Sequence, residues 1–182
     1  MYLVSAYFDD NTSRILQRYI EKTAEASGND FMLRNNVPPH MTVSQIEARD
    51  PEVLIPAFRS LHGKVIPGEV YFASVGMLLP YVIYTAPVMN QYLQNLSETV
   101  YEAFSGVPDT CISRYYRPYS WLPHVTIGKT LDKSQLLAAV KVLQESFAPA
   151  ESKIVKLGLS RVNPHRDIEE LILSIGFISH LF

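Results

Sequence analysis

The sequence predicts an α+β protein with two lobes of antiparallel sheet, related by a pseudo-two-fold, with helices on the outer faces and a cleft between them. Three observations carry this. The same order of elements (strand, helix, strand, helix, strand) runs twice along 182 residues. The two runs answer each other at the residue level, where Pro39-His40-Met41-Thr42-Val43 matches Pro123-His124-Val125-Thr126-Ile127 with an offset of 84 residues. A repeat of this length is too long for a solenoid unit and suits a pair of α+β lobes. The expected organisation is a single bilobal domain over 1–182, with intertwined lobes and repeat halves of roughly 1–80 and 81–182.

The first half opens on a β-rich run, Tyr2 to Phe8. Asp9, Asp10 and Asn11 are each able to open a helix, and Ile15, Leu16, Tyr19, Ile20 and Thr23 then recur at helical spacing to about Ser27. Gly28, Asn29 and Asp30 stop it. Pro38 and Pro39 precede a strand near His40 to Glu47. Asp50-Pro51 has the form of an N-cap followed by proline at the first helical position. That helix extends to about Leu61, with Pro56 late enough to call for a kink or a 3₁₀ start. Val70 to Leu79 and Tyr81 to Val88 read as an antiparallel pair around Pro80.

The second half repeats the order. Asn90 to Phe104 is a helix with Tyr92, Leu93, Leu96, Val100, Tyr101 and Phe104 on one side, ended by Gly106 and Pro108. An aromatic and basic loop runs from Thr110 to Trp121. A strand from His124 to Thr130 follows, then a helix from Lys133 to Phe147 whose apolar stripe is Leu136, Leu137, Val140 and Leu143. Lys153 to Val162 and Glu170 to Phe177 form a closing strand pair, joined through Asn163-Pro164-His165-Arg166-Asp167.

Composition narrows the function. At 47% hydrophobic and 19% charged residues the chain reads as an ordinary globular protein. No apolar stretch is long enough to span a bilayer, and Met1 to Asp10 lacks the basic start and cleavage site of a signal peptide. The single cysteine, Cys111, cannot form an internal disulfide, so a reducing cytoplasm is the simplest compartment. The net charge of −2 argues against tracking a long duplex DNA by counterion release. A small nucleotide or a short RNA end fits better, with no membrane partner and a monomeric protein.

Residues two apart in a strand share a face. His40 and Thr42 therefore share one, as do His124 and Thr126, while Met41, Val43, Val125 and Ile127 turn into a core. Brought across a pseudo-two-fold, the polar faces line one cleft with two imidazoles and two hydroxyls. Imidazole titrates near neutrality, so one ring can take a proton while the other gives one. The threonine hydroxyls can donate to non-bridging phosphate oxygens. This is phosphodiester chemistry that needs neither metal nor cofactor. Glu47, the only acid on either motif strand, has the opposite parity to His40.

His40-Met41-Thr42-Val43 and His124-Val125-Thr126-Ile127 give the chain a resemblance to the 2H phosphoesterase superfamily, whose hallmark is two His-x-Thr/Ser-x motifs with the last position usually apolar. That group includes the 2′-5′ RNA ligase-like proteins and cyclic nucleotide phosphodiesterases. The resemblance covers essentially the whole chain. It implies the bilobal fold, a metal-independent mechanism and a 2′,3′-cyclic phosphate, 2′-5′ linkage or similar substrate. The rival reading is a non-catalytic RNA-end or nucleotide-binding module that keeps the pocket.

The Arg114 to Trp121 segment adds Tyr115, Arg117 and Tyr119 as candidate substrate contacts, since rings can stack on bases and arginine can meet phosphate. Cys111 and Arg117 share the spacing of cysteine phosphatases, but the residues between them are bulky and include no glycine to form a phosphate cradle. Cys111 is therefore read as a structural thiol. Ser44 is placed on the face of Thr42, and Lys129 on the parity opposite to His124. Tyr7 and Tyr84 hold comparable places in the two halves, at the cleft edge or in the core. His62, His165 and His180 are expected to have no role.

Overall fold

A computed structural model describes residues 1–162 and 165–175. Its strands are β1 (Tyr2–Phe8), β2 (Met41–Glu47), β3 (Gly68–Leu78), β4 (Val82–Pro87), β5 (Cys111–Ile112), β6 (Val125–Gly128), β7 (Ala150–Arg161) and β8 (Arg166–Ile172). Its helices are α1 (Asp10–Ser27), α2 (Phe31–Arg34), α3 (Ile55–Arg59), α4 (Gln91–Ser105) and α5 (Lys133–Ser146). All strand pairings are antiparallel.

The helix ends follow the local chemistry. Asp9 caps α1, its carboxylate accepting the Thr12 N–H at 2.9 Å, and Gly28 closes it at φ 70°. Asp50 caps a single 3₁₀ turn, Pro51–Val53, before α3 begins, so the predicted helix starts as 3₁₀ and stops at Arg59, short of Leu61. Asn90 caps α4, and Asp132 with Gln135 forms a capping box on α5. The stripe of α5 differs from the expected one. Leu136, Ala139 and Leu143 are buried and Leu137 is 64% exposed, because at 3.6 residues per turn position 137 lies about 100° round from 136.

Three boundaries move for reasons of pairing. The chain leaves β6 after Gly128 through a turn in which Thr130 takes φ 58°. β7 starts early, at Ala150, because Ala150 pairs with Phe72. β8 starts at Arg166, opposite Arg161, which shortens the closing hairpin. The predicted end of that strand at Phe177 and the Gly176 to Phe182 tail lie outside the described residues. The Thr110 to Trp121 loop is not wholly irregular: β5 pairs with the end of β2, and Arg114–Tyr116 is a 3₁₀ turn.

The pairings obey the pseudo-two-fold. β1 pairs with β2 and β7, and β4 pairs with β6 and β3. Exchanging β1 with β4, β2 with β6 and β3 with β7 leaves this pattern unchanged. The last strand of each half thus crosses to the sheet begun by the other. The helices cross as well: α1 packs on α5 and β6, while α4 packs on α3 and β2. The lobes meet where β2 touches β6 at one pair, Met41 opposite Val125, and again where β3 meets β7. Met41, Val43, Val125 and Ile127 are all at most 1% exposed, as the strand parity requires.

Candidate active site

Pro38-Pro39 and Leu122-Pro123 hold the chain extended into each motif, since the residue before a proline is pushed to extended backbone. Met41 opposite Val125 then sets the register between motifs. It carries His40 toward Thr126 and Thr42 toward His124, with all four on the face away from Met41 and Val125. His40 and His124 stand on a diagonal, a relation that spans about 7–8 Å between α-carbons in a regular antiparallel pair.

Each imidazole is oriented in the same way. His40 Nδ1 lies 2.8 Å from the Pro38 carbonyl oxygen, and His124 Nδ1 lies 2.9 Å from that of Leu122. A carbonyl can only accept, so each Nδ1 carries hydrogen and donates. That leaves Nε2 of each ring for the cleft, as an acceptor when the ring is neutral and as a donor when it is charged. Burial lowers the pKa of both histidines. At His40 the charges of His165, His124 and Lys129 lower it further.

A bulge follows each threonine. In β2, Thr42 pairs with Ser5 but Ser44 pairs with Val4. In β6, Thr126 pairs with Tyr84 but Gly128 pairs with Ile83. Val43 and Ile127 are the extra residues, and each reverses the parity of the strand beyond it. Three sequence-based placements change as a result, the first being Glu47, which returns to the parity of His40 and lies 3.4 Å from the Met1 ammonium. Ser44 turns into the core, 1% exposed, with its hydroxyl unpartnered. Lys129 comes round toward the cleft side and its charge reaches His40.

Trp121 locks the second half onto the first. It is 6% exposed, and its Nε1–H donates to the Thr42 carbonyl at 2.9 Å. The loop residues before it face elsewhere. Tyr119, 87% exposed at φ 64°, has its hydroxyl beside Glu98 of α4. Tyr115 accepts a hydrogen bond from Arg114, whose guanidinium also lies over its ring, and Arg117 is exposed. Among the described residues, none of the three is hydrogen-bonded to either motif. Cys111, read from the sequence as a structural thiol, is free and exposed.

Tyr7 and Tyr84 lie in the site. The Tyr7 ring is 6.2 Å from His40 and the Tyr84 ring 5.1 Å from His124, centroid to centroid. Their places are less alike than the sequence suggests, because the register equates Tyr84 with Ser5 and Tyr7 with Ala86. Burial, with Asp167 and Glu170 nearby, pushes the Tyr7 hydroxyl up to about 12. Two strand glycines, Gly76 and Gly158, were the available sequence signal, since glycine inside a strand marks a close approach. His165 also comes within electrostatic reach of His40, and its Nε2 is 3.2 Å from Asp167 Oδ1. His62 is exposed in the turn after α3, and His180 lies outside the described residues.

Among the described residues, no three His, Cys, Asp or Glu side chains come together as a metal donor set, and no helix is long and apolar enough to cross a membrane. A groove of about 320 Å³ between β3 and α5 contains none of the motif residues.

Comparison with known proteins agrees with this architecture. The family model of the 2′-5′ RNA ligase superfamily matches residues 12–166. No curated protein gives a significant match. Among solved structures, one described as a phosphoesterase superposes with a TM-score of 0.66 at 12% identity, over 96% of this chain and 98% of its own. LigT of E. coli complexed with 3′-AMP gives 0.60 at 10% identity, over 96% and 98%. TT0787 of Thermus thermophilus gives 0.57 at 15%, over 94% and 97%. At these identities the superpositions speak for the fold, and the family match speaks for descent: the chain belongs to the 2′-5′ RNA ligase superfamily, a group of 2H phosphoesterases.

Proposed function

We propose that this protein is a metal-independent phosphodiesterase. Its substrates are a 2′,3′-cyclic phosphate, a 2′-5′ linkage or a similar small phosphodiester at a nucleotide or RNA end. The catalytic residues in this reading are His40 and His124, with Thr42 and Thr126 binding phosphate. Tyr115, Arg117 and Tyr119 remain candidate contacts for the part of a longer RNA end that extends beyond the cleft. The observation that carries the reading is the Met41–Val125 pair, which turns two histidines and two threonines toward one space.

The chemistry follows from the orientation of the rings. A neutral histidine accepts at Nε2 the proton of an attacking water or ribose hydroxyl. The charged histidine donates from Nε2 to the leaving oxygen, so no alkoxide has to depart unprotonated. Thr42 and Thr126 donate to non-bridging oxygens and hold the phosphorus in line. Lys129 adds a positive charge on the same side. Each proton transfer contributes roughly 10²–10⁴-fold in rate. In support, relatives in fold include LigT complexed with 3′-AMP, a nucleoside monophosphate of the kind that cyclic phosphate opening releases.

The test is hydrolysis of 2′,3′-cyclic nucleotides and 2′-5′ dinucleotides in EDTA by the wild-type protein, His40→Ala and His124→Ala. Turnover that survives chelation and is lost in both variants supports the reading. Tight nucleotide binding without turnover would favour the binding module, and loss of wild-type turnover on chelation would point to a metal.

A further inference from the structure

The two halves give the cleft unequal exits. The cap Asp9 accepts the Thr12 N–H and the cap Asn90 accepts the Leu93 N–H, so α1 and α4 align cap to cap. Burial agrees. Thr12, Leu16, Tyr19 and Thr23 are buried in α1, as are their counterparts Leu93, Ser97, Val100 and Phe104 in α4. The exposed faces differ. An open groove of about 960 Å³ runs along α1 past Ser13, Arg14, Gln17 and Arg18 to Pro39, the residue before His40. Both arginines are exposed, and among the described residues neither is in an ion pair. In the second half Asn95 and Thr99 stand in their places, and α4 has no Lys or Arg. Tyr119 lies there with its hydroxyl beside Glu98 and Gln94, the counterparts of Gln17 and Ser13. Pro123, the counterpart of Pro39, is buried. Lys129, three residues past Thr126, is likewise answered by the neutral Gln45, three past Thr42. The exit beside His40 is thus open and basic, and its counterpart is occupied by the Thr110 to Trp121 loop.

We propose that the groove along α1 is the exit path of an RNA strand whose end is processed in the cleft, with Arg14 and Arg18 holding successive phosphates of its backbone. The proposal rests on the reading of the site given above, which puts the reacting phosphate between the two motifs. Residues four apart share a helix face and rise by about 6 Å, so the two guanidiniums form a short track leading away from His40. Arg14 Nε donates to the Asp10 carbonyl at 3.2 Å, which leaves its two terminal nitrogens for a ligand. A guanidinium meets a phosphate through two parallel N–H donors. The net charge of −2 is no obstacle, because the attraction is local and is screened beyond about 10 Å at 0.1 M salt.

The same comparison defines the ligand. Asp10 and Glu21 also line the groove and bound the arginine pair along the helix. The track therefore suits a short run of phosphates at the end of a single strand, and repels an extended polyanion at both ends. The rival path runs over Tyr115, Arg117 and Tyr119 on the His124 side. There α4 presents Glu98 and Glu102 where α1 has Gln17 and Glu21, so a backbone leaving that way meets two carboxylates on the helix and no cation.

The experiment is a binding titration with product-like ligands, which needs no turnover. Affinities for 3′-AMP and for a four-nucleotide oligoadenylate ending in a 3′-phosphate are compared. They are measured on the wild-type protein, on Arg117→Ala, and on two double variants, Arg14→Ala with Arg18→Ala and Arg14→Lys with Arg18→Lys. The wild-type protein is expected to prefer the longer ligand. Raising the salt from about 50 to about 200 mM is expected to cut that preference roughly 7-fold, as two phosphate contacts at about 0.7 each in the log–log slope require. The double alanine variant is expected to lose both the preference and its salt dependence, and the double lysine variant, which keeps the charge, to retain the salt dependence. An undiminished preference in the double alanine variant, its collapse in Arg117→Ala alone, or no preference in the wild-type protein each overturns the proposal. If the preference behaves as expected but no phosphodiester is cleaved, the groove stands and the catalytic reading fails.

Discussion

Met41 of one motif strand lies opposite Val125 of the other, and this single pair joins the two halves of the site. Both side chains are fully buried, so the pair is sealed on its core side and the histidines next to them must face the opposite way. A two-fold axis through that pair explains why the motif occurs twice. On the proposed reading, one copy supplies a proton acceptor and the other a proton donor.

Lys129 should act on the phosphate and on His40 together. Its positive charge lowers the pKa of His40, so removing it raises that pKa. In Lys129→Met the limb of the pH–rate profile that belongs to His40 is expected to move to higher pH, with KM raised several-fold. Titration of the His40 ring by NMR checks the first part directly, and an unmoved midpoint would place Lys129 outside the site.

Ser44 is expected to be silent in catalysis. The bulge at Val43 buries its hydroxyl without a partner, an arrangement that costs about 1–3 kcal/mol. Ser44→Ala should leave kcat and KM unchanged and stabilise the protein by about 1 kcal/mol in denaturant unfolding. A raised KM would mean that Ser44 faces the cleft after all.

Trp121 couples the loop to the first motif. Trp121→Phe keeps most of the buried ring but leaves the Thr42 carbonyl without its donor, at a cost of about 1–3 kcal/mol. At about 2–4 °C of Tm per kcal/mol for a chain of this size, calorimetry should detect the loss. An accompanying fall in phosphate affinity is expected, since Thr42 loses the contact that fixes its backbone.

The pH dependence follows from both histidines being lowered. Turnover needs one ring neutral and one charged, so kcat/KM should be bell-shaped with its maximum below pH 6.5. Folding shows the linked effect. The unfolded chain binds more protons between the lowered pKa values and about 6.5, so stability rises with pH through that window. It is full above 6.5 and is lost as the pH falls through the folded-state values. Unfolding at pH 5 and pH 7.5 checks this, and the difference should shrink in His40→Gln.

Much of this was legible in the sequence because it depends on local rules. The duplicated Pro-His-x-Thr-apolar run, the cap Asp50, the helix opening near Asp9 and the inward parity of Met41 and Val125 all follow from neighbours in the chain. The bulges at Val43 and Ile127 do not, because they arise from how β1 and β4 register against the motif strands. They moved Ser44 and Lys129 to faces that simple alternation does not give. The proximity of His165 to His40 and the hydrogen bond from Trp121 to Thr42 join residues 125 and 79 positions apart, beyond any local pattern. Gly76 and Gly158 were visible as strand glycines, but only the fold shows that tyrosine rings lie on them.

A crystal structure of the complex with inorganic phosphate tests the central claim most directly. The account expects one phosphate between the motifs, with Nε2 of both His40 and His124 and the hydroxyls of Thr42 and Thr126 at hydrogen-bonding distances of about 3 Å. A phosphate bound away from the motifs, or imidazoles more than about 10 Å apart so that they cannot share one ion, would contradict it.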